Sequence, residues 1–416
     1  MNLKSIKEIF KYPTAVVGIV IILALIGISI YTLITIPYST AVRLWRGSEA
    51  DWYTNPKEAA PTWYNWFRKD KLPESVVLNN DSGEEHVLKT VEEGAKSKKI
   101  NYTFTFDFDA DSFPDDIIVY FTSKFDTKAP FVGLTWVSPD GTKTKLGNFS
   151  LAERYVFRLA QDVKLTRKLD GNKAQIGLFS DIANEDYSKP LKGTYQLLIE
   201  GVSFDNQSDI NAELVVYGKL AGWAGTDHLR RDIGLALLWG TPVALLFGLL
   251  AAVGTSLSQL IIAAIGTWFG GWLDGLIQRI TEINLVLPFL PILIMVGTFY
   301  SRSLFTLLTV TILLSIFGSG IKSYRAIFMQ VKESPYIEAA RSYGASNTRI
   351  IFSYMIPRLI PMLIPQFIVQ VPSYVFLEAS LAVLGLGDPT LPTWGKLIDD
   401  SRKNGAYISG LVLLGA

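Results

Sequence analysis

Cysteine is absent from this 416-residue chain, and histidine occurs only at His86 and His228. That excludes disulfides, a thiolate metal site and a cysteine nucleophile, and two isolated imidazoles make a metal centre an unsupported expectation. Net charge is scarce as well: at +1 the chain lacks the basic excess of a phosphate-binding protein, so nucleic acid is not an expected partner. The pattern Gly-x-x-x-x-Gly-Lys-Ser/Thr does not occur, so the chain has no phosphate-cradling loop of that kind and is not expected to bind ATP itself. Serines and carboxylates abound, but none stands with a paired base in a nucleophile constellation. The expectation is a protein that is not an enzyme and carries no cofactor of its own.

What is plentiful is apolar sequence, at 49% with 12% aromatic residues, which points to membrane. After Lys4, Lys7 and Lys11 comes an uncharged run from Thr14 to Ile36. It exceeds a signal-peptide core and lacks a small-residue cleavage site, so it reads as a retained transmembrane helix. Further uncharged stretches run Ile233–Leu273, Ile283–Ser301, Ser303–Ile321 and Leu359–Leu377, with a last apolar piece from Ala406. The connector between Lys322 and Arg358 carries Lys322, Arg325, Lys332, Arg341, Arg349 and Arg358 against Glu333 and Glu338. A basic loop of that kind belongs in the cytoplasm. With the basic N-terminus also cytoplasmic, the number of crossings before Lys322 is even. Ile233–Leu273 then counts as one span, and Tyr38–Asp232 lies outside the cell. Six spans are expected in a plasma-membrane protein. The residues from Ala406 to Ala416 are too few for the last span, so the natural sequence is expected to continue.

The organisation expected is an N-terminal segment with the first span (1–42), an insertion (43–221) and a helical core (222–416). Within the insertion, Asn101–Phe108 alternates polar and apolar residues, and Asp115–Phe125, Phe131–Lys145 around Pro139-Asp140-Gly141, Gly193–Phe204 and Ile210–Lys219 read similarly. Short strands with turn signals predict a β-sandwich. Trp45–Lys99, with four tryptophans among prolines and charges, carries no clear period. Asn-x-Ser/Thr sequons at Asn80, Asn101, Asn148 and Asn206 all fall on the side expected to be outside and are candidate glycosylation sites. The insertion reads as a shield or spacer, or as a docking surface for another protein.

Inside the basic loop, Ser334 through Ser346 spells a short helix with its own stop signals. Ser334 can cap it, Pro335 suits its first turn, Glu338 lies where the helix dipole favours an acid, and Gly344 offers the left-handed position that ends it. Ala339 and Ala340 are expected to present a small-residue surface to which another backbone can come close. Held between two transmembrane helices, such a rod can act as a lever; the plainer reading is an amphipathic connector.

Glu338-Ala339-Ala340, Gly344 and Ile356-Pro357 resemble the EAA loop of ATP-binding-cassette (ABC) importer permeases. Gly225-Thr226-Asp227-His228-Leu229-Arg230-Arg231-Asp232 is similar to the GTDxLGRD segment of the DppC-like branch of the dipeptide, oligopeptide and nickel permeases, with Arg230 where that branch has glycine. Phe269–Asp274, Leu287–Leu290, Glu378–Leu381, Leu384–Gly387 and Thr393–Gly395 resemble further stretches of the same branch in the same order. The resemblance starts at about Gly222 and does not reach the insertion. It implies a polytopic α-helical membrane protein of the type I importer permease fold with a large extracellular, mainly β insertion. It also implies that Ser334, Pro335, Tyr336, Glu338, Ala339, Ala340, Arg341, Gly344 and Ala345 form a coupling helix against an ATPase. The implied partners are a homologous second permease, two ATPases that bind ATP and Mg, an external solute-binding protein and membrane lipid.

Peptide is the expected cargo, with oligosaccharide and nickel as alternatives; a membrane-anchored β-domain sensor or enzyme is the rival reading. Glu378, an ionisable residue at the end of a span, faces either a pore or interfacial water. Pro288 is a candidate gate residue, although prolines also kink membrane helices for structural reasons. Gly266 with Gly270, and Gly271 with Gly275, have the spacing of close helix packing.

Overall fold

The computed structural model describes residues 13–47, 51–94, 97–126, 128–181, 186–204 and 208–403; Asn206 and the apolar stretch from Ala406 lie outside them. Two compact units divide the described chain, one taking the residues up to Arg46 and from Leu235 on, the other Gly47–Gly234.

In the helical unit, α1 (Pro13–Thr35) stops before Pro37, and α2 (Tyr38–Arg46) leaves at 86° to the stretch Leu23–Thr35. α2 is amphipathic, with Ala41 and Trp45 buried and Arg43 and Arg46 exposed. α3 (Ile233–Phe269) is a single helix of 37 residues, about 55 Å long at about 1.5 Å per residue, which suits one crossing and not two with a turn. It ends at a corner where Gly270 (φ +64°) and Gly271 (φ +54°) both adopt left-handed backbone, a region costly for residues with a Cβ. The expected glycine packing therefore needs correction. Gly266 does pack, since a Cβ there would meet Ile277 Cδ1 at 2.8 Å, but Gly270, Gly271 and Gly275 have no neighbour within 4 Å. The first two make the turn.

Two of the expected spans are bent. α4 (Gly271–Val286) and α5 (Phe289–Phe299) are bent by 74°, and α6 (Leu304–Ser315) and α7 (Gly320–Lys332) by 48°. Pro288 occupies the first break as the residue preceding α5; its missing N–H cannot continue a helical ladder. α8 (Pro335–Ser342) follows, and a lead-in of Asn347–Arg349 and π-helical Ile350–Met355 runs into α9 (Ile356–Leu381), with α10 (Trp394–Lys403) last. Among the described residues, two helices are long and apolar enough to cross a membrane, or up to five if each bent pair is one span. The chain is an integral membrane protein.

The other unit is a β-sandwich. β1 (Val76–Leu78), β2 (Val87–Glu93), β3 (Lys98–Phe108), β4 (Asp116–Lys124), β5 (Phe131–Val137), β6 (Lys143–Ser150), β7 (Arg154–Arg158), β8 (Ser180–Asp181), β9 (Asp186–Pro190), β10 (Gly193–Ser203) and β11 (Asp209–Tyr217) follow in chain order. A four-stranded sheet runs β1-β11-β4-β7, a five-stranded sheet runs β2-β3-β10-β5-β6, and β8 pairs with β9. The period of two along β3 sends Ile100, Tyr102, Phe104, Phe106 and Phe108 into the core. Trp136, Phe179 and Tyr195 meet them there, and the polar atoms that come along are satisfied, with Trp136 Nε1 donating to the Leu178 carbonyl at 3.2 Å and Tyr195 Oη to that of Leu191 at 2.6 Å.

The two ends of this unit are stitched together. Ala60 N donates to Lys219 O at 2.9 Å, Thr226 N to Ala59 O at 3.0 Å, and Thr62 N to Gly222 O at 2.9 Å. Arg230 sits at φ +67°, which explains why glycine suits that position: a residue with a Cβ costs about 1–2 kcal/mol there. Its side chain offsets this by lying 4.4 Å over the Tyr217 ring and donating to the Asn55 carbonyl.

Asp115 and Asp116, at the start of β4, have pKa values raised mainly by burial, against partial relief from Lys219 for Asp115 and from Arg158 and Arg230 for Asp116. A raised folded-state carboxylate pKa means that stability is present below the unfolded value, about 3.9, and is lost as pH rises through the folded value. Asp116→Asn, which can still accept from Ile117 N as Asp116 does at 2.8 Å, is expected to raise the melting temperature of a soluble 51–232 fragment at pH 7. That gain should vanish near pH 3; near-UV circular dichroism melts across the range check both parts.

Candidate functional site

α8 is built by its termini. Pro335 takes the first helical position and Glu338 lies in the first turn. At the other end Gly344 has φ +77°, Ala345 N donates to Ala340 O at 3.0 Å and Gly344 N to Arg341 O at 2.9 Å. This pair of bonds is a Schellman closure, which satisfies the last carbonyls and fixes the helix length. Ser334 stands at the N-cap position without capping; its hydroxyl turns back to the Gln330 carbonyl at 3.3 Å, closing the end of α7 instead.

The faces of α8 differ from the expected small-residue surface in one respect. Ala339 is exposed, but Ala340 is buried and packs with Ile337 into a cluster with Trp268, Phe328, Val331, Ile350 and Ile351. A spacing of three puts Ile337 and Ala340 on one side. The outward side carries Pro335, Tyr336, Glu338, Ala339, Ser342 and Tyr343, the last 92% exposed. Tyr343 was not singled out in the sequence, although its place one residue before the stop glycine is the signal that finds it.

A charged joint holds α8 to the end of α3. Lys332 Nζ donates to the carbonyls of Thr267 at 2.9 Å and Trp268 at 3.0 Å, which are among the last carbonyls of α3 and lack helical partners. The guanidinium of Arg341 lies 4.3 Å over the Trp268 ring. Alongside, Arg325 of α7 grips Asp274 of α4 bidentately, Nε to Oδ1 at 2.8 Å and Nη2 to Oδ2 at 2.6 Å.

A second feature is a cavity of about 520 Å³ in the helical unit, lined by Thr255, Gln259, Asn284, Ser323, Gln366, Gln370 and Tyr374 among others, with no charged side chain among the described residues of its lining. Amides and hydroxyls bond across it: Ser256 Oγ to Gln370 Oε1 at 2.7 Å, Tyr374 Oη to Thr255 Oγ1 at 3.2 Å, and Tyr324 Oη to Gln366. Gln259 is 96% buried, given its 4% exposure, and its Oε1 has no partner among the described residues. Three glutamines within otherwise apolar helices were a legible signal.

Glu378 is buried near the end of α9 with Thr393 as its hydrogen-bond partner. Asn80 and Asn148 are exposed and Asn101 is half-buried on β3. No group of three metal-ligating side chains occurs among the described residues, and His86 lies 3.3 Å from the Thr105 carbonyl.

With this geometry in view, the chain can be compared with known proteins. Residues 236–415 match the family of binding-protein-dependent transport system inner membrane components. Over that stretch the chain is similar to permease proteins of peptide transport systems. It is 31% identical over 183 residues to the peptidoglycan transport system permease protein YejE of Agrobacterium fabrum, covering 44% of this chain and 48% of that protein. It is 31% identical over 184 residues to the dipeptide transport system permease protein DppC of Alkalihalophilus pseudofirmus, covering 44% and 60%. It is also 31% identical over 181 residues to the oligopeptide transport system permease protein OppC of Bacillus subtilis, covering 43% and 58%. The chain thus spans between about half and three fifths of these relatives, all named as transport components.

Asp274→Ala or Arg325→Ala leaves a partly buried charge unpaired, expected to cost about 2 kcal/mol, between the values for exposed and buried pairs. The double variant should recover part of that loss. Thermal unfolding in detergent of the four proteins of the cycle measures it.

Proposed function

We propose that the chain is one of two membrane-spanning subunits of an ABC importer for di- or oligopeptides, with α8 as the coupling helix. The observation that carries this reading is the rigid, Schellman-closed α8 with Ile337 and Ala340 turned inward and Tyr336, Ala339 and Tyr343 turned outward. A rod of that kind can seat in a groove on a partner ATPase and pass its displacement through Lys332, Arg341 and Trp268 to the end of α3. Pro335, Glu338, Gly344 and Ala345 define the rod, Ser334 closes the helix before it, and Arg341 ties it to the span.

In this reading the basic loop and N-terminus are cytoplasmic, the β-sandwich is extracellular in a plasma-membrane protein, and 1–42, 43–221 and 222–416 are its three parts. A homologous permease completes the path, two ATPases bind ATP and Mg, and an external solute-binding protein delivers cargo. The uncharged amide and hydroxyl lining around Gln259, Gln366 and Gln370 suits the neutral hydrogen-bonding groups of a peptide backbone. Pro288, at the α4–α5 break, and buried Glu378 are gate candidates. Asn80, Asn101, Asn148 and Asn206 are candidate glycan sites on the external domain. Nickel finds no support in charged lining groups, and the relatives' names favour peptides over sugars.

Proline at 344 cannot take φ +77° and loses the N–H bonded to Arg341 O. Gly344→Pro is expected to insert normally, abolish uptake and disconnect ATPase activity from the peptide-loaded binding protein. Tyr343→Ala should weaken ATPase copurification without altering the melting temperature. Lipid-reconstituted ATPase assays with and without peptide-loaded binding protein check both; normal coupling in a well-expressed Gly344→Pro protein would overturn the lever.

A further inference from the structure

Trp66 is 83% exposed, Phe67 78% and Trp223 51%. Rings of this size left in water on a folded domain mark a contact surface. They are rigidly presented. Thr62–Phe67 forms a 3₁₀ turn, in which residues three apart eclipse, so Trp66 stands over Trp63. Trp63 packs edge-on against Phe67 at 6.2 Å and donates its Nε1 hydrogen to Trp223 O at 2.8 Å. Asn65 closes the turn on both sides, its amide to Leu72 O and its carbonyl from Leu72 N, each at 2.9 Å.

What covers these rings follows from where Trp223 sits. Its indole lies against Gly234, where a Cβ would come 2.9 Å from Cζ2. Gly234 is the second residue of α3, an apolar helix of span length. The patch is therefore placed at the point where the chain passes from the domain into a membrane span. The adjoining Arg68 and Lys69 are exposed, followed by exposed Asp70 and by Lys71, which pairs with Asp109 at 3.3 Å. Large amphipathic rings beside cationic side chains are the composition of a headgroup-level contact. At the other end of the domain's chain, α2 leaves α1 at 86° with its apolar and basic faces separated, the form of a helix lying in the bilayer surface.

We infer that the Thr62–Phe67 turn and Trp223 form an interfacial anchor, inserted among lipid headgroups, that holds the β-sandwich at the membrane surface. The anchor depends on α3 being a span and not on the import reading. Trp66 and Phe67 insert their rings, Arg68 and Lys69 meet lipid phosphates, and the tie between Trp63 and Trp223 keeps the patch in register with the start of α3.

The absence of cysteine from the chain makes a clean test available. Single-cysteine variants Phe67→Cys and, as a water-exposed control, Val163→Cys (64% exposed) are spin-labelled in the full chain in nanodiscs of phosphatidylcholine and phosphatidylglycerol, alone and with copurifying subunits. The label at 67 is expected to collide more with oxygen than with a water-soluble nickel complex, and the label at 163 the reverse. Equal nickel access at 67 and 163 would mean a patch left in water and would overturn the anchor. A label at 67 shielded from both reagents only when other subunits are present would overturn it too, assigning the patch to a protein partner. ATPase copurification in the same samples reports separately on the import reading.

Discussion

The carbonyls that a helix leaves unpaired at its C-terminus are the constraint around which the helical unit is arranged. α3 ends at Gly270 and Gly271, and Lys332 supplies the missing donors to Thr267 and Trp268. One ammonium thereby fixes the end of the longest span to the end of α7, one turn of chain before α8 begins. Arg341, stacked on Trp268, adds the second point that a rigid joint requires. Cationic groups at a helix C-terminus are favoured by its dipole, so the joint is held by electrostatics as well as by hydrogen bonds.

Two solvents impose different rules on the two units. In the sandwich, alternation places aromatic rings inward and polar groups outward, and water satisfies whatever the sheets do not. In the helical unit Gln259, Gln366, Gln370 and Tyr374 line one cavity, and Ser256 and Tyr324 bond to Gln370 and Gln366 beside it. Glu378 is likewise buried with Thr393 as its partner. At the break around Gly318 and Gly320 protein packs close to the backbone: a Cβ at Gly318 would meet Gln259 Nε2 at 2.8 Å.

Much of this was legible beforehand. Asn101–Phe108, the Pro139-Asp140-Gly141 hairpin and the stop glycine at 344 declare themselves through local chemistry: a period of two, a turn and a left-handed position. The single span from Ile233 followed from length and charge parity. Less legible were β1 and β2, where Trp45–Lys99 mixes signals and β2 (Val87–Glu93) buries only its first residue. Pro288 signals the first bend by its own chemistry, whereas the bend after Ser315 escaped, because an uncharged run reports length and not direction. Ala340 and Ser334 were assigned the wrong neighbours because a short helix's faces depend on what packs beside it.

The sequence by itself determined the transitions between polar and apolar chain, the strands, the short helix α8 and its stop, since each rests on residues within a few positions of one another. Tertiary structure alone decided which side of α8 looks outward, that Lys332 closes α3, that Asp274 pairs with Arg325, and that scattered glutamines share one cavity. Those contacts join residues about 50 to 110 positions apart, and no local period records which distant surface a side chain will meet once the chain is packed.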